Sequence, residues 1–98
     1  MVDVNKILED RGKTHGDFKH QSELSNMLKL AVRNYPDSKW SYINPYQRES
    51  IEMICHKLSR ILVGDPNEVD HWDDIAGYAT LVANQLREDK AECNTSSE

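Results

Sequence analysis

Glycine and proline punctuate this 98-residue sequence into four stretches in which apolar residues recur every three or four positions, and none of them alternates in the two-residue rhythm of a strand. That pattern selects an all-α fold. A first helix is predicted from an Asp3 N-cap, with Val4, Ile7 and Leu8 on one side, up to an interruption between Gly12 and Gly16. A polar connector, Arg11 to Asp17, leads into a second, amphipathic helix from about Asp17 to Tyr35, which carries Leu24, Met27, Leu28, Ala31 and Tyr35 and stops before Pro36. Asn44-Pro45 marks the start of a third helix, Gly64-Asp65-Pro66-Asn67 ends it near Val63, and a fourth is predicted from about Val69 to Asp89. Helices joined by so short a turn form an antiparallel hairpin, so the expected architecture is a small bundle of about four helices built on it. The tail from Ala91 has no large apolar residue and is expected to be disordered, leaving a single domain over residues 1–90.

Such a short chain buries little surface on folding, and two-faced helices leave more to cover, so self-association is expected, with a homodimer as the first choice. Hydrophobic residues make up 38% of the chain and the longest aliphatic run is Ile61 to Val63, which excludes a membrane-spanning helix. The first residues lack the apolar segment of a secretory leader, so a cytoplasmic location is expected. Twelve basic residues against 17 acidic ones give a net charge of −5, and the basic residues are scattered, so nucleic acid is not an expected partner. Cys55 and Cys93 cannot form a disulfide framework and have no partners at zinc-site spacing.

The hairpin helices each carry two faces. Ile51, Ile54, Cys55, Leu58, Ile61 and Leu62 form the apolar stripe of the third helix, with Glu49, Glu52, His56 and Arg60 close to the opposite side. On the fourth, Trp72, Ile75, Ala76, Ala79, Val82, Ala83 and Leu86 read as the core stripe, with Asp70, Asp73, Asp74 and Gly77 opposite. An acidic face is either solvated or folded into a carboxylate-lined cleft, and Met53, Gly77, Tyr78 and Leu81 on or beside it favour the cleft. A carboxylate cluster in a cleft suits a hard cation such as Mg²⁺. With the turn centred near Pro66, residue 58 is level with Asp74, and Glu52 and Asp70 are about 15 Å out of register, so a shared ion needs an early end to the third helix or a second subunit. His56 and Arg60 lie nearer Asp70 to Asp74, and the alternative is a structural network in which they neutralise those aspartates. Gly12-Lys13-Thr14 lacks the earlier glycine and the preceding strand of a phosphate-binding P-loop. Trp72 is expected in the core, and Tyr78 is the better stacking ring.

Glu49-x-x-Glu52 followed by Asp70-x-x-Asp73, with Asp74 alongside, resembles the split acidic motif of the MazG-like all-α nucleoside triphosphate pyrophosphatases. The stretches Arg11 to Phe18, Gln47 to Ile61, Gly64 to Asn67 and Asp70 to Ala79 are similar to a group of small phage and prophage proteins of unassigned function, over about residues 7 to 87. The pyrophosphatase resemblance implies Mg²⁺-dependent (or Mn²⁺-dependent) hydrolysis of a nucleoside triphosphate to monophosphate and pyrophosphate. It places the metal at Glu49, Glu52, Asp70 and either Asp73 or Asp74, and gives Glu49 or Glu52 the task of orienting or deprotonating the attacking water. Arg11, Lys13, His15, His56, Lys57 and Arg60 are the candidate phosphate and nucleotide contacts, with Tyr78 for the base. The alternative is a non-enzymatic phage protein that binds a host or defence component, or sequesters a nucleotide.

Overall fold

The computed structural model of the chain describes residues 3–96, with side chains to Cys93. Four helices form in the order expected: α1 Val4–His15, α2 Phe18–Asn34, α3 Pro45–Val63 and α4 Val69–Ser96. Their starts are set by local chemistry. Asp3 accepts from the N–H groups of Asn5 and Lys6, and Asp17 accepts from that of His20. At the start of α3 the Asn44 N–H donates to Gln47 Oε1 at 2.8 Å, and Pro45 occupies the first position, where no N–H is needed.

Two boundaries differ from those read in the sequence. Helix α1 does not break at Gly12 but continues through most of the expected connector to His15. The real stop is Gly16, whose φ of 85° ends the helical run while its N–H still bonds to the Gly12 carbonyl at 3.0 Å. Helix α4 passes Asp89 and carries residues 91–96, which the sequence assigned to a disordered tail. No glycine or proline follows Gly77 to end it. The remainder of that tail, residues 97–98, lies outside the described residues.

α3 lies between α2 and α4, which do not touch each other among the described residues. Its two neighbours approach from different sides. Ser59, His56 and Glu52 meet Gln21 and Arg33 of α2, whereas Lys57 and Tyr46 meet Asp74 and Asp89 of α4. Counting about 100° per residue, these two sets stand roughly 120° apart on α3. The bundle is therefore opened into a row of three helices, with α1 packed against α2 and α3. This explains why a single apolar stripe per helix did not mark the core: Cys55 and Ile61 are the buried apolar residues, while Ser50, Lys57 and Ser59 of α3 are buried beside them.

The rest of the expected stripe lines one side of the row. Leu62 is 68% exposed and Trp72 52%, and Ala76 and Ala79 are exposed too. Trp72 thus lies outside the core in which it was expected, and its indole N–H bonds to the Pro66 carbonyl at 2.9 Å. Counted from the residues that meet α3, helical stepping puts Met27 and Ala31 of α2 on the same side as Ile51, Leu58 and Leu62 of α3 and Trp72, Ala76, Ala79 and Ala83 of α4. The opposite side carries Glu49, Arg60, Asp70 and Asp74.

α1 and α3 meet end on through two glycines. A Cβ at Gly64 would stand 2.5 Å from the His15 carbonyl carbon and 2.6 Å from the Arg60 oxygen, and one at Gly16 would stand 2.7 Å from Val63. Only chain without side chains passes here, and the approach lets the Asp65 N–H reach the Thr14 carbonyl at 3.0 Å. Gly64→Ala is expected to lower unfolding free energy by about 1–3 kcal/mol, because the clash is with backbone that cannot rotate away. Gly77 has open space around it and sits inside α4, so Gly77→Ala is expected to raise stability by up to about 1 kcal/mol. Urea titrations of the two variants check both signs.

Candidate functional site

The glycine crossing brings the last turn of α1 against the last turns of α3, and a cavity of about 560 Å³ opens between them and the start of α2. Leu8, Arg11, Gly12 and His15 of α1 form one wall, Phe18 and Gln21 of α2 another, and His56 and Arg60 of α3 the floor. The polar floor is tied down from α2. The buried Gln21 side chain donates to Ser59 Oγ at 2.7 Å and to His56 Nδ1 at 3.3 Å, and Ser59 Oγ donates in turn to the His56 carbonyl at 2.6 Å. Because Nδ1 accepts from the amide, the neutral ring carries its proton on Nε2, which leaves that nitrogen a donor.

Burial and the nearby Arg60 charge lower the His56 pKa from 6.5 to about 4, so the ring is neutral at pH 7. His15 is lowered as well, first by burial and then by Arg60. The fixed positive charge at this site therefore belongs to the arginines. The Nε of Arg60 is buried and has no hydrogen-bond partner. A buried guanidinium donor left unmade normally costs free energy, and the Nε of Arg48 near the other end of α3 is in the same position.

His15 and Arg60 also wall a second cavity, of about 430 Å³, completed by Thr14, Lys57, Glu68, Asp70, His71 and Asp74. His71 is buried, its Nε2 lies 3.0 Å from the Thr14 carbonyl, and its ring stands 5.3 Å from that of His15. Lys57, itself buried, bonds to Asp74 at 2.7 Å, and that contact is the main cause of the lowered Asp74 pKa. This pair confirms the hairpin register read from the sequence, in which residue 58 stands level with Asp74. It also shows that Lys57 does the neutralising assigned to His56, which faces α2.

The five candidate metal ligands do not come together within the chain. Glu52 is turned to α2 and held by both Nε and Nη2 of Arg33. Glu49 and Glu52 line a shallow hollow with Trp40, Pro45 and Arg48, at the far end of α3 from Asp70 and Asp74. From the Lys57 to Asp74 register, Glu52 and Asp70 are separated along the helices by about 14 Å. Asp73 is exposed and lines none of these three hollows. Among the described residues no group of three or more His, Cys, Asp or Glu side chains is arranged to hold a metal ion, so these carboxylates do not by themselves fit a Mg²⁺ centre.

Of the candidate phosphate contacts, Arg11, His15, His56 and Arg60 converge on the first cavity and Lys57 on the second. Lys13 and Tyr78 line neither, and Lys13 stands 3.8 Å from Asp10. Sequence reasoning missed Phe18, which is 81% exposed beside the first cavity, as well as Gln21, Ser59 and His71. Phe18 had one local signal, an aromatic ring directly after a helix N-cap. The chain matches no known protein family, curated protein or solved structure at a significant level. No helix of the described residues is long and apolar enough to cross a membrane.

The histidines make the fold sensitive to acid. A ring that resists protonation when folded takes up a proton more readily when unfolded, so stability is full above about pH 6.5 and is lost as pH falls toward 4. The melting temperature is expected to fall over that window, and His56→Asn is expected to flatten the fall. An unchanged slope in the variant would contradict the assignment to His56.

Proposed function

We propose that this chain binds a nucleotide, with the phosphates at Arg60 and the base against Phe18. The observation that supports this most is the buried, unpartnered Nε of Arg60 at the wall shared by the two cavities. Around it stand the chemical groups such a ligand uses. Arg11 adds a second cation, His56 Nε2 offers a neutral donor, and Leu8 and Phe18 supply apolar surface for a ring. A purely apolar ligand would leave the guanidinium unmatched. An inorganic anion would leave most of the 560 Å³ unused.

A second reading, Mg²⁺-dependent pyrophosphohydrolysis, is favoured by the acids of the neighbouring cavity. Asp70 and Asp74 stand in the same hollow as Arg60 and Lys57, so phosphates extending past Arg60 would meet them. Mg²⁺ is commonly held by one or two carboxylates together with substrate phosphates, which fits two acids that form no metal site alone. On this reading Glu49 and Glu52, as catalytic carboxylates, would have to come from a second copy.

Calorimetric titration with nucleoside mono-, di- and triphosphates, with and without Mg²⁺, tests the proposal. Arg60→Ala is expected to weaken binding about tenfold to a hundredfold, and Phe18→Ala at least about fivefold. Absence of binding by any nucleotide, or affinity unmoved by Arg60→Ala, would overturn it. Pyrophosphate release that needs Mg²⁺ and is abolished by Glu52→Gln would establish the hydrolytic reading. Tight binding without turnover would leave sequestration.

A further inference from the structure

We infer that the apolar side of the helical row, opposite the two cavities, is the interface at which two copies of this chain pair. Its exposed residues come from all three helices: Met27 is 67% exposed, Leu62 68% and Trp72 52%, and Ala76 and Ala79 lie open beside them. No charged residue falls on this side between Leu24 and Ala31 of α2, Ile51 and Leu62 of α3, or Val69 and Leu86 of α4. Soluble monomers rarely leave so continuous an apolar patch to water.

The amount of surface points to a second copy as the occupant. The chain exposes 7470 Å², whereas a compact monomer of 11.3 kDa is expected to expose about 5,700 Å². Part of the excess belongs to α4, which by helical rise outreaches α3 by some 13 Å. Were each of two copies to cover half of the excess, the interface would bury about 1,800 Å², the size of a stable specific interface. The face also suits pairing with itself. The small side chains of Ala76 and Ala79 allow close approach of α4, the bulky Met27 and Leu62 project beside them, and a two-fold axis brings each set to the other. Both cavities stay open on the outer sides of such a dimer, so it serves the nucleotide-binding reading, and a copy supplying Glu49 and Glu52 to a cavity would need a different contact.

Sedimentation equilibrium of the full chain from about 1 to 100 µM reads this out. Twice the 11.3 kDa of one chain is the expected mass. Leu62→Glu and Ala79→Glu are each expected to raise the dissociation constant at least about tenfold with an unchanged circular dichroism spectrum, since both residues are exposed in the single chain. Leu81→Glu, on the other side of α4, is expected to leave the dimer intact. Should either glutamate variant lose helicity, Met27→Lys puts the same question from α2. A chain monomeric throughout the range, an assembly of another size, or a dimer indifferent to every substitution on this face would overturn the proposal, whether or not nucleotides bind.

Discussion

The passage of one backbone over another at Gly16 and Gly64 determines what the rest of the molecule can be. Hydrogen bonding there is concentrated on one atom, the Thr14 carbonyl, which lies within bonding distance of both the Asp65 N–H and His71 Nε2. That carbonyl links the end of α1 to the turn and first residues of the hairpin. Once it is held, His15 must lie beside Arg60 and His71, and the space between α1 and α3 cannot close. The cavities follow from a backbone contact that only glycine permits, and the cationic lining follows from what the last turns of α1 and α3 carry.

The second organising fact is that α3 has neighbours on two separate sides. A helix flanked in this way has no single buried stripe. Its polar residues must serve the contacts on both sides, which is why Lys57 and Ser59 are buried while Leu62 is not. The same geometry separates the chemistry: Arg60, Glu49, Asp70 and Asp74 share one side of the row, and a side without charge, with Ile51, Leu58 and Leu62 of α3, lies opposite. Within the polar side, height along the helices decides which groups meet. Arg60, Lys57, Asp70 and Asp74 share one level, and Glu49 and Glu52 stand nearer the other end.

The helices, their starts and the hairpin register were legible in the sequence because each depends on residues close together in the chain. Asp3, Asp17 and Asn44-Pro45 announce helix starts through their own backbone chemistry, and a short turn plus a fixed rise per residue predicts that Lys57 and Asp74 lie near the same level. The assembly of the site was legible only in part. Arg11, His15, His56 and Arg60 could be named as phosphate contacts, but not that Gln21 would arrive from α2 to fix the His56 tautomer, since the ten-residue loop from Tyr35 to Asn44 gives no orientation. Trp72 was misplaced for a related reason: helical periodicity marks an apolar side without saying whether a neighbour covers it. Gly12 and Gly16 look alike as helix breakers in the sequence, and the positive φ of Gly16 together with its contact with Val63 tells them apart.

The central claim is that the half-buried Arg60, whose Nε has no partner within the chain, awaits a phosphate in the cavity between α1, α2 and α3. The Arg60 Nε–H resonance, followed by nitrogen-15 NMR during addition of a nucleotide, reports on it most directly. The account predicts a large shift of that resonance, accompanied by His15, His56 and Phe18 and not by Trp40 or Glu49. A saturating nucleotide that moves Trp40 and Glu49 while Arg60 stays unperturbed would contradict it.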